Sequence, residues 1–473
     1  MSRIFINREK ELEFLESRYK SNKKELIIIY GRRRVGKTEL LKQFIRNKDA
    51  IYFLSDKRGT LLNAKRLMEI VSEYFNYPYF EPKNFDDVFK LISKLAKKRL
   101  VVIIDEFSYL IEQDNTLPSV FQYIVDEILS DNIMLILCGS LVGTMESLFS
   151  YKNPLYGRRT GQWKVEPLDF FDFAKRFKEW SLEEQIKLFA ITGGVPFYFM
   201  MMDEKITVLE NIRKNILNKG SVLYDEVEFL LREELRDIST YLAILEAIAM
   251  GKTRVSDIAN YTKVRVNDLP KYLKVLMKLG LIEREIPITE SWKKTKKSIY
   301  WIKDNFFRFW FRFVLPNKSR IEAGDIDYVL ESKIEPYFND FVGFTFEQIA
   351  KTYILRKFNV FEIDLLGRYW GKIRRKNEKT GAIEIDIIAI NRHSKDIAFF
   401  EVKWSELSTI DTKKILNDLI EKSKYVPWEV SSRKEYFGVI GKYIENKDTF
   451  RKQGYFVYDL DDFSRLFLNQ KRS

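Results

Sequence analysis

The hydrophobic pattern changes period several times along the chain, and each change marks an element. Leu26–Tyr30 is an unbroken apolar run of strand length, as expected of a strand covered on both faces. Leu40, Leu41, Phe44 and Ile45 then repeat at helical spacing, which predicts a helix from Thr38 to about Asn47. Ala50–Leu54 reads as a second strand, and residues 60–98 as helices broken around Pro78 and Pro82. Leu100–Ile104 and Ile133–Cys138 are further buried-strand runs. Residues 170–235 are helical in pattern, interrupted by Gly193-Gly194-Val195-Pro196 as a turn or hinge. Upstream of the first strand, Phe5-Ile6-Asn7-Arg8-Glu9 opens a helix with Leu12 and Leu15 on one face.

The second half is patterned differently. Helices are expected at Tyr241–Met250, from Val255 and over Asn267–Leu279; Gly280–Glu283 then leads into a strand, with Ile299–Ile302 beyond the wing tip. Phe306–Phe313 is the densest aromatic run. As a helix it would put Phe306, Phe309, Trp310 and Phe313 on one packing face, with Arg308 and Arg312 four apart. Pro316-Asn317-Lys318 is expected to begin a linker. Ala382–Ile390 alternates as a strand, and Ile397–Trp404 follows a polar turn.

Chemistry enters where the first strand breaks into Gly31-Arg32-Arg33-Arg34-Val35-Gly36-Lys37-Thr38, a full Walker A pattern. Glycines let successive N–H groups converge on phosphate oxygens, and the following helix aims its positive end at the same anion. Lys37 would reach the β- and γ-phosphates, and Thr38 would give its hydroxyl to Mg²⁺. The nucleotide-binding stretch is taken through Glu39. Asp105 and Glu106 end the third strand, where ligands bind in open α/β sheets. Asp105 would hold Mg²⁺, and Glu106 would polarise the attacking water as general base. Ser140 follows the next strand and either senses the γ-phosphate from between the two Walker elements or caps a helix. Arg158 and Arg159 either stabilise transition-state charge, in cis or from a neighbouring subunit, or are plain surface arginines.

Composition narrows the choice. The 473 residues are 45% hydrophobic and 32% charged, as in globular domains, and suffice for two to four of them. No apolar run is long enough for a membrane span, and the start of the chain lacks a signal-peptide pattern. A cytoplasmic protein is expected. One cysteine and one histidine exclude an internal disulfide and multi-histidine zinc chemistry. The formal charge of +13 draws the protein to polyanions.

Residues 238–303 have the element order of a winged helix, with Lys271, Lys274, Lys278 and the wing lysines Lys293–Lys297 suited to phosphate contacts. DNA is the expected partner, a docked protein the alternative. If the strands at 382–390 and 397–404 pair as a hairpin, Asp386, Glu401 and Lys403 converge. That is a hard oxygen site for Mg²⁺ or Mn²⁺ with a lysine beside it, and Glu347 on a preceding helix would add a carboxylate.

Taken in order, Asn7-Arg8-Glu9, GRRRVGKT, IIDEF, CGS, LYGRRT and GGVP resemble the archaeal-type ATPases of the STAND/AAA+ group of P-loop NTPases, over about residues 1–230. The resemblance implies an ATP-dependent switch, an α/β sheet with the Walker strands adjacent, a helical lid, Arg8 near the adenine pocket and Pro196 near the base. The Asp-x14-Glu-Val-Lys pattern resembles the PD-(D/E)XK nuclease fold, with Glu347, Asp386, Glu401 and Lys403 at its motif positions and Ile385 where the motif has proline. The expected fold class is therefore α/β: a P-loop NTPase parallel sheet (1–168) with a helical lid (169–235), a winged helix (236–315), a linker (316–334) and an α/β restriction-endonuclease-like domain (335–473). The expected function is an ATP-binding and hydrolysing switch acting on DNA, with metal-dependent nuclease chemistry at its C-terminal end. The alternative is a regulatory ATPase whose winged helix docks protein and whose C-terminal domain is inactive.

Overall fold

The computed structural model describes residues 7–235, 237–293, 295–373 and 381–469; Phe5, Ile6 and Lys294, named above, lie outside them. The chain forms two compact units. One holds the residues up to Leu168 together with Val195–Phe197, and the other holds Asp169–Gly194 and everything from Tyr198.

The first unit is built on a five-stranded parallel sheet of β1 (Glu25–Tyr30), β2 (Ala50–Leu54), β3 (Leu100–Asp105), β4 (Ile133–Gly139) and β5 (Gly161–Lys164), in the order β2-β3-β4-β1-β5. Every residue of β1, β3 and β4 is buried, so the apolar runs become central strands with helices covering both faces. In β2, buried and part-exposed positions alternate, as suits its place at the sheet edge. The strands that carry the two Walker motifs are not adjacent, contrary to expectation. β4 lies between them, pairing Glu25–Tyr30 with Met134–Gly139 on one side and Leu100–Ile104 with Ile133–Leu137 on the other. Seven consecutive buried residues fit β4 for this central position. The helices Thr60–Phe75 and Phe85–Leu95 flank Pro78 and Pro82 as predicted, and Glu9–Lys20 buries Leu15.

The second unit begins with the helices of the 170–235 region. Next come three helices, Ser239–Ala249, Val255–Thr262 and Leu269–Lys278, and the antiparallel hairpin β6 (Ile282–Glu285) and β7 (Ile299–Ile302). The aromatics of the run are buried on more than the one predicted face, while Arg312 is exposed. Phe307 and Phe311 are as inaccessible as Phe306 and Trp310, and Trp310 Nε1 donates to the Tyr224 carbonyl at 2.9 Å. Residues 316–334, expected as a linker, are helical and packed, because Ile321, Val329 and Ile334 are all fully buried. Pro316 sits in the first turn of a short helix, where its missing N–H costs nothing.

The helix Glu335–Lys357 leads to a mixed five-stranded sheet of β8 (Leu365–Ile373), β9 (Gly381–Asn391), β10 (Asp396–Leu407), β11 (Lys434–Ile444) and β12 (Phe456–Tyr458), ordered β12-β11-β10-β9-β8. β9 and β10 form the predicted antiparallel hairpin, while β10, β11 and β12 run parallel. Among the described residues no helix is long and apolar enough to cross a membrane.

Candidate functional site

β1 ends at Tyr30, and the glycine-rich loop follows at the C-terminal edge of the sheet. Gly31 has φ 154°, and a Cβ there would lie 2.4 Å from the Val165 carbonyl oxygen, so only glycine fits. Gly36 has φ 91° and opens the helix Lys37–Ile45, whose first turn carries Thr38 and Glu39. Lys37 is buried and folds along the loop, donating to the carbonyls of Gly31 at 2.8 Å and Arg32 at 3.0 Å. Two of its three N–H groups are used there.

The three loop arginines diverge. Arg32 is buried, Arg33 donates to the Tyr109 hydroxyl, and Arg34 lies 3.8 Å over the Phe197 ring. The Phe197 N–H meets the Arg34 carbonyl, and Pro196 Cγ comes within 3.7 Å of where a Cβ on Gly36 would be. The Pro196 turn is thus brought to the phosphate loop. Arg8 is also brought to it, but as a strut. Its guanidinium donates to the carbonyls of Val35 at 2.9 Å and Glu166 at 2.8 Å and pairs with Glu11.

The acidic side of the site converges from three strands. Asp105 is 1% exposed, and its Oδ2 accepts from Thr38 Oγ1 at 2.8 Å and from Tyr52 OH at 2.6 Å. Its Oδ1 accepts the Glu106 N–H at 2.9 Å. Burial, then the Asp105 charge, pushes the Tyr52 phenol well above its ordinary pKa, so it stays a donor. Glu106 adopts a left-handed backbone, φ 56°, and its Oε2 accepts from Ser140 Oγ at 2.7 Å. The helix after Ser140 is capped by Leu141 with no side-chain bond, so Ser140 serves Glu106 and not a helix end.

Arg158 is not brought to the loop. It makes a paired contact with Asp126 at 2.8 and 3.0 Å, two residues before Thr160, which bonds Glu25 at the start of β1. That is the opposite edge of the sheet. Arg159 stacks on Phe149 at 4.8 Å. The adjacent-arginine pattern gave no sign of which sheet edge it would reach.

In the second unit, hairpin pairing runs from Asp396↔Asn391 to Phe400↔Ile387 and stops. Where Glu401 would next face Asp386, the Asp386 carboxylate takes over and accepts the Val402 N–H at 2.9 Å. Lys403 Nζ stands 3.1 Å from Glu401 and 3.5 Å from Asp386, and Lys422 adds a second ammonium on Glu401 at 3.1 Å. Burial, then the Asp386 charge, raises Glu347 to about 7 and also raises Glu401. Burial lowers Lys403, but Asp386 and Glu401 outweigh it and hold the ammonium charged.

Arg368 lies 3.6 Å from Glu347 and 3.9 Å from Glu285, and it also pairs with Glu384. The predicted acids and lysine are therefore gathered. The buried Oε2 of Glu401 has no hydrogen-bond donor, which suits a hard cation, while that of Glu347 has only the Arg368 guanidinium at 3.6 Å. Among the described residues no group of three or more His, Cys, Asp or Glu side chains is placed to hold one metal ion, so the two carboxylates Asp386 and Glu401 are the core of the expected site, with Glu347 beside them. A cation there would take two carboxylates and complete its shell with water or phosphate oxygens. Tyr52, Arg368 and Lys422 were missed by sequence reasoning, because only strand pairing and helix packing bring them to these carboxylates.

A family described as an ATPase domain predominantly from Archaea matches residues 5–202, and one described as archaeal and bacterial proteins of unknown function matches residues 310–415. The uncharacterized protein MJECL04 of Methanocaldococcus jannaschii is 37% identical over 467 residues, covering 98% of this chain and 100% of its own. The uncharacterized ATP-binding protein MJ0423 of the same organism is 62% identical over 45 residues, 10% of this chain and 76% of that one. Among solved structures, the Walker-type ATPase PABY2304 of Pyrococcus abyssi superposes with a TM-score of 0.49 at 24% identity, over 65% of this chain and 96% of that one. By its full-length likeness at 37% identity the chain belongs to the same family as MJECL04, and its residues 5–202, with the phosphate loop and the acid-tipped third strand, match the ATPase domain found predominantly in Archaea.

Proposed function

We propose that the protein is an ATP-binding and hydrolysing switch that acts on DNA. The observation that carries the reading is the meeting of Thr38, Asp105, Glu106 and Ser140 beside Lys37 at one edge of the sheet. Loop N–H groups and Lys37 bind the triphosphate, and Glu106, oriented by Ser140, takes the proton of the attacking water. Thr38 and Asp105, hard oxygens 2.8 Å apart, would hold Mg²⁺, which supplies charge neutralisation at the β- and γ-phosphates. Calorimetry with ATP and magnesium tests this. Micromolar binding lost in Lys37→Ala supports the reading, and no heat from the native protein removes it.

The DNA part is supported by the helix Leu269–Lys278. It buries Leu269, Leu273 and Leu276 and turns Lys271, Lys274 and Lys278 to solvent. In this reading residues 169–235 are the lid, 236–315 a winged helix, and the C-terminal sheet a nuclease-like domain. There Glu347, Asp386, Glu401 and Lys403 would carry metal-dependent phosphodiester hydrolysis. The metal would supply the activated water, with Lys403 steadying phosphate charge. Divalent-dependent DNA cleavage lost in Lys403→Ala supports it.

One observation favours the rival, in which this module docks protein and the C-terminal site is inactive. The loop end of the β6–β7 hairpin is already committed to protein contacts, with Ile288 N–H on the Arg368 carbonyl and Glu285 on Lys351 at 3.0 Å. ATP turnover indifferent to DNA, with no DNA binding at moderate salt, would select the rival.

A further inference from the structure

We infer that Tyr52 is a positioning residue for the metal-bound nucleotide, setting the Asp105 carboxylate from the neighbouring edge strand. The inference rests on the ATP reading above and goes beyond it, since neither Walker motif contains Tyr52. Three observations carry it. First, Asp105 Oδ2 is shared by two hydroxyls, Thr38 Oγ1 at 2.8 Å and Tyr52 OH at 2.6 Å. Two donors on one oxygen fix the plane of the carboxylate, while Glu106 N–H occupies the other oxygen. Second, the same strand end grips the backbone of this residue. Ser55 N–H and Oγ both donate to the Asp105 carbonyl, at 3.0 and 2.7 Å. Third, β2 lies at the sheet edge with Tyr52 only partly buried. Its hydroxyl is nevertheless turned inward, to the buried Asp105.

A simple structural tyrosine would need only one satisfied hydroxyl. Here the hydroxyl reaches the oxygen that Thr38 also reaches, so it acts where the cation's ligands are oriented. A hydroxyl such as that of Thr38 has one proton and two lone pairs. Thr38 donates its proton in a hydrogen bond to Asp105, which leaves its lone pairs for a cation that would be held there. Tyr52 keeps Asp105 in the orientation that permits both contacts. Partners one layer behind a metal ligand typically change metal affinity by about 10–100-fold when removed.

The test measures nucleotide affinity by fluorescence of a labelled ATP analogue, first in chelator and then across a Mg²⁺ titration, without relying on turnover. In Tyr52→Phe the ring remains and only the hydroxyl goes. The expected result is a Mg²⁺ half-saturation raised about tenfold with metal-free nucleotide affinity within about twofold of the native protein. Tyr52→His, which keeps a ring N–H donor, should recover part of the shift. Native-like magnesium dependence in Tyr52→Phe would overturn the inference. So would a parallel loss of metal-free affinity, or a Tyr52→His protein worse than Tyr52→Phe, which would mark a packing role for the ring. Failure of the native protein to bind the analogue at all would instead sink the ATP reading.

Discussion

Ser140 donates its hydroxyl to Glu106 Oε2 at 2.7 Å, bridging the ends of β4 and β3. The bond leaves Oε1 of Glu106 to accept a proton from water. Losing one orienting bond of this kind is worth about 1–1.5 kcal/mol. Ser140→Ala is therefore expected to lower ATP turnover about tenfold and to leave ATP affinity unchanged. Steady-state turnover beside calorimetric affinity checks this, and equal loss in both would reassign Ser140 to binding.

Glu106 itself is the proposed base. Glu106→Gln keeps the size and the contact with Ser140 but removes the proton acceptor. Turnover should fall about 10²–10⁴-fold with nucleotide binding retained. Single-turnover measurement with pre-bound ATP separates the chemical step from release, and full activity would exclude the assignment.

Gly31 has no room for a side chain. Gly31→Ala sets a Cβ 2.4 Å from the Val165 carbonyl oxygen, backbone against backbone, at φ 154°. Relief requires β5 to shift, at a cost of about 1–3 kcal/mol. Thermal melting should show lower stability even without nucleotide, and an unchanged melt would mean that the loop relaxes freely.

The buried Glu347 carboxyl makes the second unit sensitive to pH. Burial, then Asp386, raises it to about 7 from the ordinary 4.5, and Glu401 moves in the same direction. Between those two values the folded chain holds a proton that the unfolded chain has released. Stability from this group is thus complete below about 4.5 and declines as pH rises through 7. Urea unfolding midpoints between pH 5 and 8 should fall in the native protein and flatten in Glu347→Gln. A slope unchanged by that substitution would place the effect elsewhere.

The sequence was most informative where chemistry is local to one loop or strand end. The phosphate loop, the Asp105-Glu106 pair and the position of Ser140 follow from runs of fewer than about ten residues, because periodicity and turn chemistry act at that range. The hairpin of β9 and β10 was equally plain, since a polar turn between two apolar runs leaves little choice. What failed was adjacency. The adjacent Walker strands implied by the resemblance give way to an intervening β4, which only the place expected of Ser140 between the Walker elements had suggested, and nothing in Ala50–Leu54 said that Tyr52 would lie against Asp105. Arg158 failed for the same reason. The supposed linker misled through Pro316, whose position at a helix start only the folded chain discloses.

The return of Val195–Phe197 to the phosphate-loop unit has an evolutionary corollary. A crossover near Leu168 would take Arg34 from one parent and Phe197 from the other, so the contact between them survives only where both parents carry the pair. Breakpoints in related genes should therefore gather after Phe197 and be rare between Leu168 and Val195.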